Sequence, residues 1–309
     1  MATEPILAAL DVPVVQARRI ARSNALFDYW ELTKPEINFL IAITAGVGFW
    51  LGSPATLLHF PWLQFLHTLL GTAFVASGAA ALNQLIELQH DAQMRRTARR
   101  PLASGRIAPR HALWFGVSLS VLGVMYLAAA TNVLASLLAA LTLLSYLFLY
   151  TPLKRITPLC TLVGAVPGAA PPLIGWAAAC GHLNADAFLL FAIVFLWQFP
   201  HFMSIAWIYR EDYARAGYFV LPAGESKDLF VAWHSLLPAL GLLLVALVPA
   251  LRGQSGIAYL TGALVVGGIF LCYSARFALQ RSIPCARQLL FASILYLPAV
   301  LALLAIDKK

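Results

Sequence analysis

Nine long apolar runs constrain this chain more than any other feature. They lie near 37–53, 65–86, 113–130, 133–151, 159–179, 186–207, 230–251, 256–277 and 286–306. Each can cross about 30 Å of hydrocarbon as a helix. Inside a bilayer the backbone must satisfy its own polar groups, which leaves helices as the spanning element for runs of this length. Composition agrees: 61% of residues are hydrophobic and 11% charged, where soluble domains are roughly half apolar and about a quarter charged. The predicted fold is all-α, a polytopic membrane bundle of about nine transmembrane helices. Residues 35–309 form a single transmembrane domain and 1–34 a tail.

The net charge is +8, and in such a chain the informative question is where the positive residues sit. With the N-terminus inside, all of the 21 lysines and arginines except Arg252, Lys308 and Lys309 fall on inner segments. That asymmetry predicts a cytoplasmic N-terminus and makes the lipid bilayer, not nucleic acid, the partner of the basic charge. No apolar core follows a basic start in the first thirty residues, so no secretory signal is expected. Glu4 and Asp11 precede Arg18, Arg19 and Arg22, which favours the cytosolic tail of a bacterial inner-membrane protein over a mitochondrial transit peptide. Cys160, Cys180, Cys272 and Cys285 form no CxxC and are expected to be buried small apolar residues, with neither disulfide nor zinc implied.

Only Thr131-Asn132 separates the third and fourth runs, which predicts a tight hairpin. Gly71 and Gly78, Gly164 and Gly168, and Gly262, Gly267 and Gly268 offer small faces for close helix contact. For the last group, ordinary membrane-helix composition explains the glycines equally well.

Chemistry concentrates where the second run ends. Asn83, Glu87 and Asp91 recur at i, i+4 and i+8, along one helix face. Oxygen ligands so arranged suit Mg²⁺, which is usually held by one or two carboxylates together with substrate phosphates. Arg95, Arg96, Arg99 and Arg100 follow, and arginine forks match phosphate oxygens. A second acidic cluster, Glu211-Asp212 within Tyr209-Arg-Glu-Asp-Tyr213, lies four spans later on the same side, with Lys154-Arg155 between them in sequence. The two clusters could hold Mg²⁺ around one diphosphate, Lys154 acting as a point charge on a phosphate oxygen. Carboxylate pairs at i, i+4 are common on solvated helix ends, and arginine runs beside membrane helices often only set topology. What lifts the first cluster above that is the conjunction of amide, two carboxylates and Arg96-Thr97 and Arg100-Pro101 at one transmembrane end.

The stretch Asn83-Gln84 to Glu87 to Asp91, followed by Arg96-Thr97-x-x-Arg100-Pro101-Leu102-x-x-Gly105, resembles the first aspartate-rich motif of the UbiA-type intramembrane prenyltransferases. Further stretches are similar to the haem-farnesylating branch of that family: Tyr150-Thr-Pro-Leu-Lys-Arg-x-Thr157-Pro158, then Gly164 through Trp176, then Trp197-Gln198-Phe-Pro200-His201-Phe202, running into Asp212-Tyr213-Ala-Arg-Ala216-Gly217. The likeness spans residues 30 to 225. Two departures stand out: Gln89, where the branch often carries a third acid, and Tyr218-Phe219-Val220, where Pro-Met usually precedes Leu221-Pro222.

The resemblance implies transfer of a farnesyl group from farnesyl diphosphate to a vinyl group of haem b, giving haem O for respiratory oxidases. Mg²⁺ would be held by Asn83, Glu87, Asp91, Glu211 and Asp212, with Arg96, Arg100, Lys154 and Arg155 on the diphosphate and the site on the cytoplasmic side. It leaves open a haem A synthase or terminal oxidase as a direct partner. Two roles are open for His201, a contact to the haem iron or a structural hydrogen bond. Two other functions compete: the same chemistry on another aromatic acceptor such as 4-hydroxybenzoate, and a transporter. A transporter should carry polar or broken-helix features near mid-membrane, whereas the ionisable groups here collect at the inner ends.

Overall fold

The computed structural model describes residues 24–54, 57–224 and 226–309. The tail arginines Arg18, Arg19 and Arg22 lie outside the described residues. A short helix α1 (Ala25–Leu32) leads into α2 (Pro35–Gly52), α3 (Trp62–Ile86), α4 (Pro109–Ala130) and α5 (Val133–Ser145), the last extended through a π-turn to Leu153. Then come α6 (Cys160–Ala169), α7 (Pro171–Cys180), α8 (Ala185–Ile208), α9 (Ser226–Leu251), α10 (Ile257–Gln280) and α11 (Ile283–Ile306). Among the described residues nine segments are long and apolar enough to span a membrane, and they coincide with the nine predicted runs. Helix ends follow local chemistry. Asn24, Asn132, Asn184 and Ser282 each cap a helix by accepting a backbone N–H, and Pro35, Pro109 and Pro171 occupy first turns, where a missing N–H costs nothing.

The fifth run is broken in two. Pro167, Pro171 and Pro172 remove three backbone donors in six residues, and the chain restarts as α7 with its two prolines in the first turn. α7 is buried from Pro171 to Ala178. It divides two apolar cores: Leu173 and Trp176 pack with α8 to α11, while Ile174, Ala177 and Ala178 pack with α2 to α5. A mid-membrane break was the feature expected of a transporter. Here it carries no ionisable side chain, and the Gln198 amide of α8 donates to Ala165 O within it at 3.0 Å.

Glycines set the closest approaches. A methyl at Gly48 would overlap the Pro172 carbonyl, and one at Gly175 would overlap the Ala45 carbonyl, so α2 and α7 touch backbone to backbone. Gly78 brings α3 against the backbone of α4 at Gly116 and Ser120, while Gly71 makes room for the Leu127 side chain. Of the last predicted group, Gly262 and Gly267 abut Leu303 and Leu243, while Gly268 meets nothing within 4 Å. The Thr131-Asn132 hairpin forms as expected, with Asn132 Nδ2 reaching across to Ala177 O at 2.7 Å. All four cysteines are free: Cys160 and Cys285 are buried, Cys180 is intermediate and Cys272 is exposed on the bundle's outside, not enclosed as the sequence led one to expect. Trp30, Trp62, Trp114 and Trp233 are exposed near span ends, as expected of interfacial anchors, but Trp176 is buried against Gly52.

Because the Gly175 contact is to backbone, it cannot relax by a rotamer change. Gly175→Ala is expected to destabilise the protein by about 1–3 kcal/mol through overpacking, whereas Gly268→Ala should melt at or slightly above wild type, as alanine favours the helix. Thermal denaturation of both variants in detergent checks the pair.

Candidate active site

The site forms where α3 leaves the bundle. The helix ends at Ile86 and a further helical turn covers Leu88–Asp91, with Asp91 N still bonded to Glu87 O at 2.8 Å. Asn83, Glu87 and Asp91 therefore keep a common face, and all three are buried. They line one cavity of about 120 Å³ together with Lys34, Arg96, Arg100 and Lys154. That is room for a diphosphate group, well below the ~300–1,000 Å³ of sites enclosing a whole ligand.

Most of its polar groups are tied to one another. Thr151 Oγ1 donates to Asn83 Oδ1 at 3.0 Å, Asn83 Nδ2 to Glu87 Oε2 at 2.8 Å, and Lys154 Nζ to Glu87 Oε1 at 2.8 Å. Arg100 Nη1 donates to Asp91 Oδ2 at 2.6 Å, while Thr97 Oγ1 holds the Asp91 carbonyl at 2.8 Å. Burial pushes the Glu87 carboxyl up, but the charge and hydrogen bond of Lys154, with Lys34 and Asn83, outweigh it and bring it down to about 2. Burial opposes the Lys154 ammonium too, yet Glu87 holds that amine well above the ordinary lysine range. Asp91 is raised by burial and by Glu87 despite Arg100. Lys34 is lowered to about 7, by burial first and then by Arg100.

Local structure explains why these groups converge. The π-turn Tyr146–Tyr150 precedes Pro152, whose ring cannot continue an α-helical ladder; the Tyr146 carbonyl accepts from Thr151 N–H, and Thr151 Oγ1, 2.9 Å from the same carbonyl, shares its hydroxyl hydrogen between it and Asn83. Tyr146 and Tyr150 then both line the cavity, and Lys154 sits 4.4 Å above the Tyr150 ring. Gly164 makes room for that ring, since a methyl there would overlap it. Arg106 bonds Asp28, Glu31 and the Arg99 carbonyl, pinning the arginine-bearing loop to α1. The loop after α8 closes the cavity with Tyr213, Tyr218 and Val220. Ala216 and Tyr218 pack on Met94, and Phe219 N bonds Lys154 O at 2.7 Å.

The sequence-predicted residues divide accordingly. Asn83, Glu87, Asp91, Arg100 and Lys154 come together, with Arg96 at the rim over the Tyr209 ring at 5.3 Å. Glu211 is exposed beside Arg210, Asp212 is paired with Arg215 Nη1 at 2.8 Å, and Arg155 is exposed; none of these three lines the cavity. His201 lies outside it as well, stacked on Trp197 with Nδ1 2.7 Å from Ser293 Oγ, although the adjacent Phe202 is a wall residue. Sequence reasoning missed Lys34, Tyr146 and Tyr218 as wall residues. For Lys34 the available signal was a lysine beside Pro35 at the inner end of a span; for Tyr146 it was its place four residues before Tyr150.

Among the described residues no cluster of three or more His, Cys, Asp or Glu is assembled for a metal. The donors nonetheless fit Mg²⁺: Asp91 Oδ1 is buried without any hydrogen-bond partner, and such an oxygen beside a carboxylate and an amide is the hard donor set that Mg²⁺ takes. The Tyr218 hydroxyl is likewise buried without a partner.

A bundle of helices long and apolar enough to span a membrane, with an oxygen-rich row facing four cations at one end, has the donors and charges that an intramembrane transferase needs. The chain matches the UbiA prenyltransferase family over residues 40–295 and belongs to it. It is 49% identical over 287 residues to the protoheme IX farnesyltransferase of Solibacter usitatus, covering 91% of this chain and 98% of that one. Its fold is similar to a digeranylgeranylglyceryl phosphate synthase (TM-score 0.73, 20% identity, 91% and 98% covered). It is also similar to a UbiA homolog from Archaeoglobus fulgidus bound to DMAPP and Mg²⁺ (TM-score 0.61, 16% identity, 90% and 99% covered).

The buried Glu87–Lys154 pair yields a stability prediction independent of activity. Lys154→Met leaves Glu87 without its cation and should cost about 3 kcal/mol, while the Lys154→Met/Glu87→Leu double variant should recover most of it. Denaturation of the two in detergent measures the difference.

Proposed function

We propose that this protein transfers the farnesyl group of farnesyl diphosphate to a vinyl group of haem b, releasing diphosphate and giving haem O. The observation that carries the reading is the single cavity in which Asn83, Glu87 and Asp91 face Lys34, Arg96, Arg100 and Lys154. The acceptor is supported by the likeness to protoheme IX farnesyltransferase over nearly its whole length.

Asn83, Glu87 and Asp91 would hold Mg²⁺, which when bound supplies positive charge to the diphosphate oxygens as the allylic C–O bond weakens. The same fold in the Archaeoglobus fulgidus homolog binds Mg²⁺ with DMAPP. Arg96, Arg100 and Lys154 stabilise the leaving diphosphate electrostatically, in a site with little water to screen them. The allylic C–O bond breaks with its electron pair on diphosphate, and the terminal vinyl carbon of haem supplies the pair for the new C–C bond. Water adds to the cation left on the adjacent carbon and loses a proton, completing a hydroxyethylfarnesyl side chain. Tyr146, Tyr150, Phe202 and Ile205 wall the cavity and keep water from the allylic cation before it is captured. No strong base is required. Asp212, beside the wall residue Tyr213, would first exchange Arg215 to join the metal ligands. The basic end of the bundle faces the bacterial cytoplasm in this reading, by the placement of lysine and arginine.

Incubation of the purified protein with haem b, farnesyl diphosphate and Mg²⁺, followed by mass spectrometry of extracted haem, should yield hydroxyethylfarnesyl haem that disappears with chelator. Asp91→Asn should lower turnover at least about 100-fold while the variant remains folded. Unmodified haem but prenylated 4-hydroxybenzoate would move the acceptor assignment, and an active Asp91→Asn would remove the metal-site reading.

A further inference from the structure

Four cations line the cavity among the described residues, and they are not equivalent. Arg100 is engaged by Asp91, Lys154 by Glu87, and Arg96 lies at the rim over Tyr209. Among the described residues the Lys34 amine meets no hydrogen-bond or ion-pair partner, although it lines the same cavity as Asn83, Glu87 and Asp91.

Its backbone is costly to hold. Lys34 sits at φ 53°, ψ 65°, the left-handed region, and is one of only two non-glycine residues with positive φ among those described. That conformation is strained for a residue with a Cβ, and the following Pro35 narrows the choices further. The surroundings impose it. Gln84 Nε2 donates to Leu32 O at 3.0 Å, Asn38 Nδ2 donates to Thr33 O at 3.0 Å and to Ser77 Oγ at 2.8 Å, and Thr33 Oγ1 donates to Trp30 O at 2.7 Å. A strained turn fixed from three sides, presenting an unpaired ammonium to a diphosphate-sized cavity, is not explained by packing.

We propose that Lys34 is a diphosphate-binding residue of this site, its unpaired ammonium placed to meet substrate phosphate oxygens, and that Gln84 is the positioning residue that sets its turn. This rests on the reading of the cavity as a diphosphate site. It gives the two halves of Asn83-Gln84 separate tasks: Asn83 faces the cavity, and Gln84, which does not line it, holds the carbonyl two residues before Lys34.

The test is calorimetric binding of inorganic diphosphate with Mg²⁺ to the full chain in detergent, with melting temperatures measured in parallel. Lys34→Gly is the decisive variant, because glycine adopts this backbone without strain. It should melt no lower than wild type while its Kd for diphosphate rises about tenfold, the loss of one charge-assisted contact. Lys34→Arg should stay close to wild type in affinity. Gln84→Met should weaken binding by a smaller factor and add nothing in the Lys34→Gly background, as expected of a residue acting through another. If wild type does not bind diphosphate, the underlying reading of the cavity fails. If wild type binds and Lys34→Gly binds equally well, or loses affinity only together with several degrees of melting temperature, the Lys34 assignment is overturned on its own.

Discussion

The structure depends on how two buried carboxylates are paired where a long apolar helix ends. Glu87 and Asp91 are buried, and a buried carboxylate without a partner costs several kcal/mol. Lys154 and Arg100 supply the partners, one from the end of α5 and one from the loop after α3. Those two contacts dictate much else. The π-turn and Pro152 bring Lys154 to Glu87, Gly164 clears space for the Tyr150 ring beneath it, and Arg106 fixes the loop that delivers Arg100. The pairing also keeps the cavity's positive charge close to where phosphate oxygens would sit, since a cation bonded to a carboxylate edge is only a short displacement from that oxygen's other ligands.

Much of the fold was legible because the bilayer leaves few choices. Apolar runs of sufficient length, divided by charged segments, give the nine spans directly, and the Thr131-Asn132 hairpin follows from the shortness of its link. The division of the fifth run did not emerge, although Pro167, Pro171 and Pro172 were in plain view, because hydropathy registers apolar length and is blind to missing N–H donors. The exposed Cys272 was misjudged for a related reason: position along a span says nothing about which face meets protein and which meets lipid.

The first acidic row was legible since i, i+4 spacing on a helix maps straight onto a face, and the helical turn after Ile86 preserved it. Spacing has no such power over loops. Glu211 and Asp212 lie in a short helical turn whose direction depends on tertiary contacts, and Arg215, three residues on, takes Asp212. Lys34 was missed because what marks it is a backbone conformation, held by Asn38 in the following helix turn and by Gln84 far along the chain, and a conformation is not displayed by residue types in a motif.

The broken helix bears on the choice between enzyme and transporter. Discontinuous helices in transporters place ionisable groups or freed backbone dipoles around a mid-membrane site. In this protein residues 160–180 contain no Asp, Glu, Lys, Arg or His. The carbonyl of Ala165 is taken by Gln198, whose side chain also fills the space at Gly168, and Gly175 is filled by the Ala45 backbone. Breaking the run at Ala170 lets α7 turn independently of α6, so that α7 can lie against α2 at backbone contact while α6 leans toward Tyr150 and the cavity. The break therefore serves helix packing, and the ionisable groups stay at the basic end of the bundle, where the proposed site would hold a water-soluble diphosphate group and a lipid-soluble isoprenoid at once.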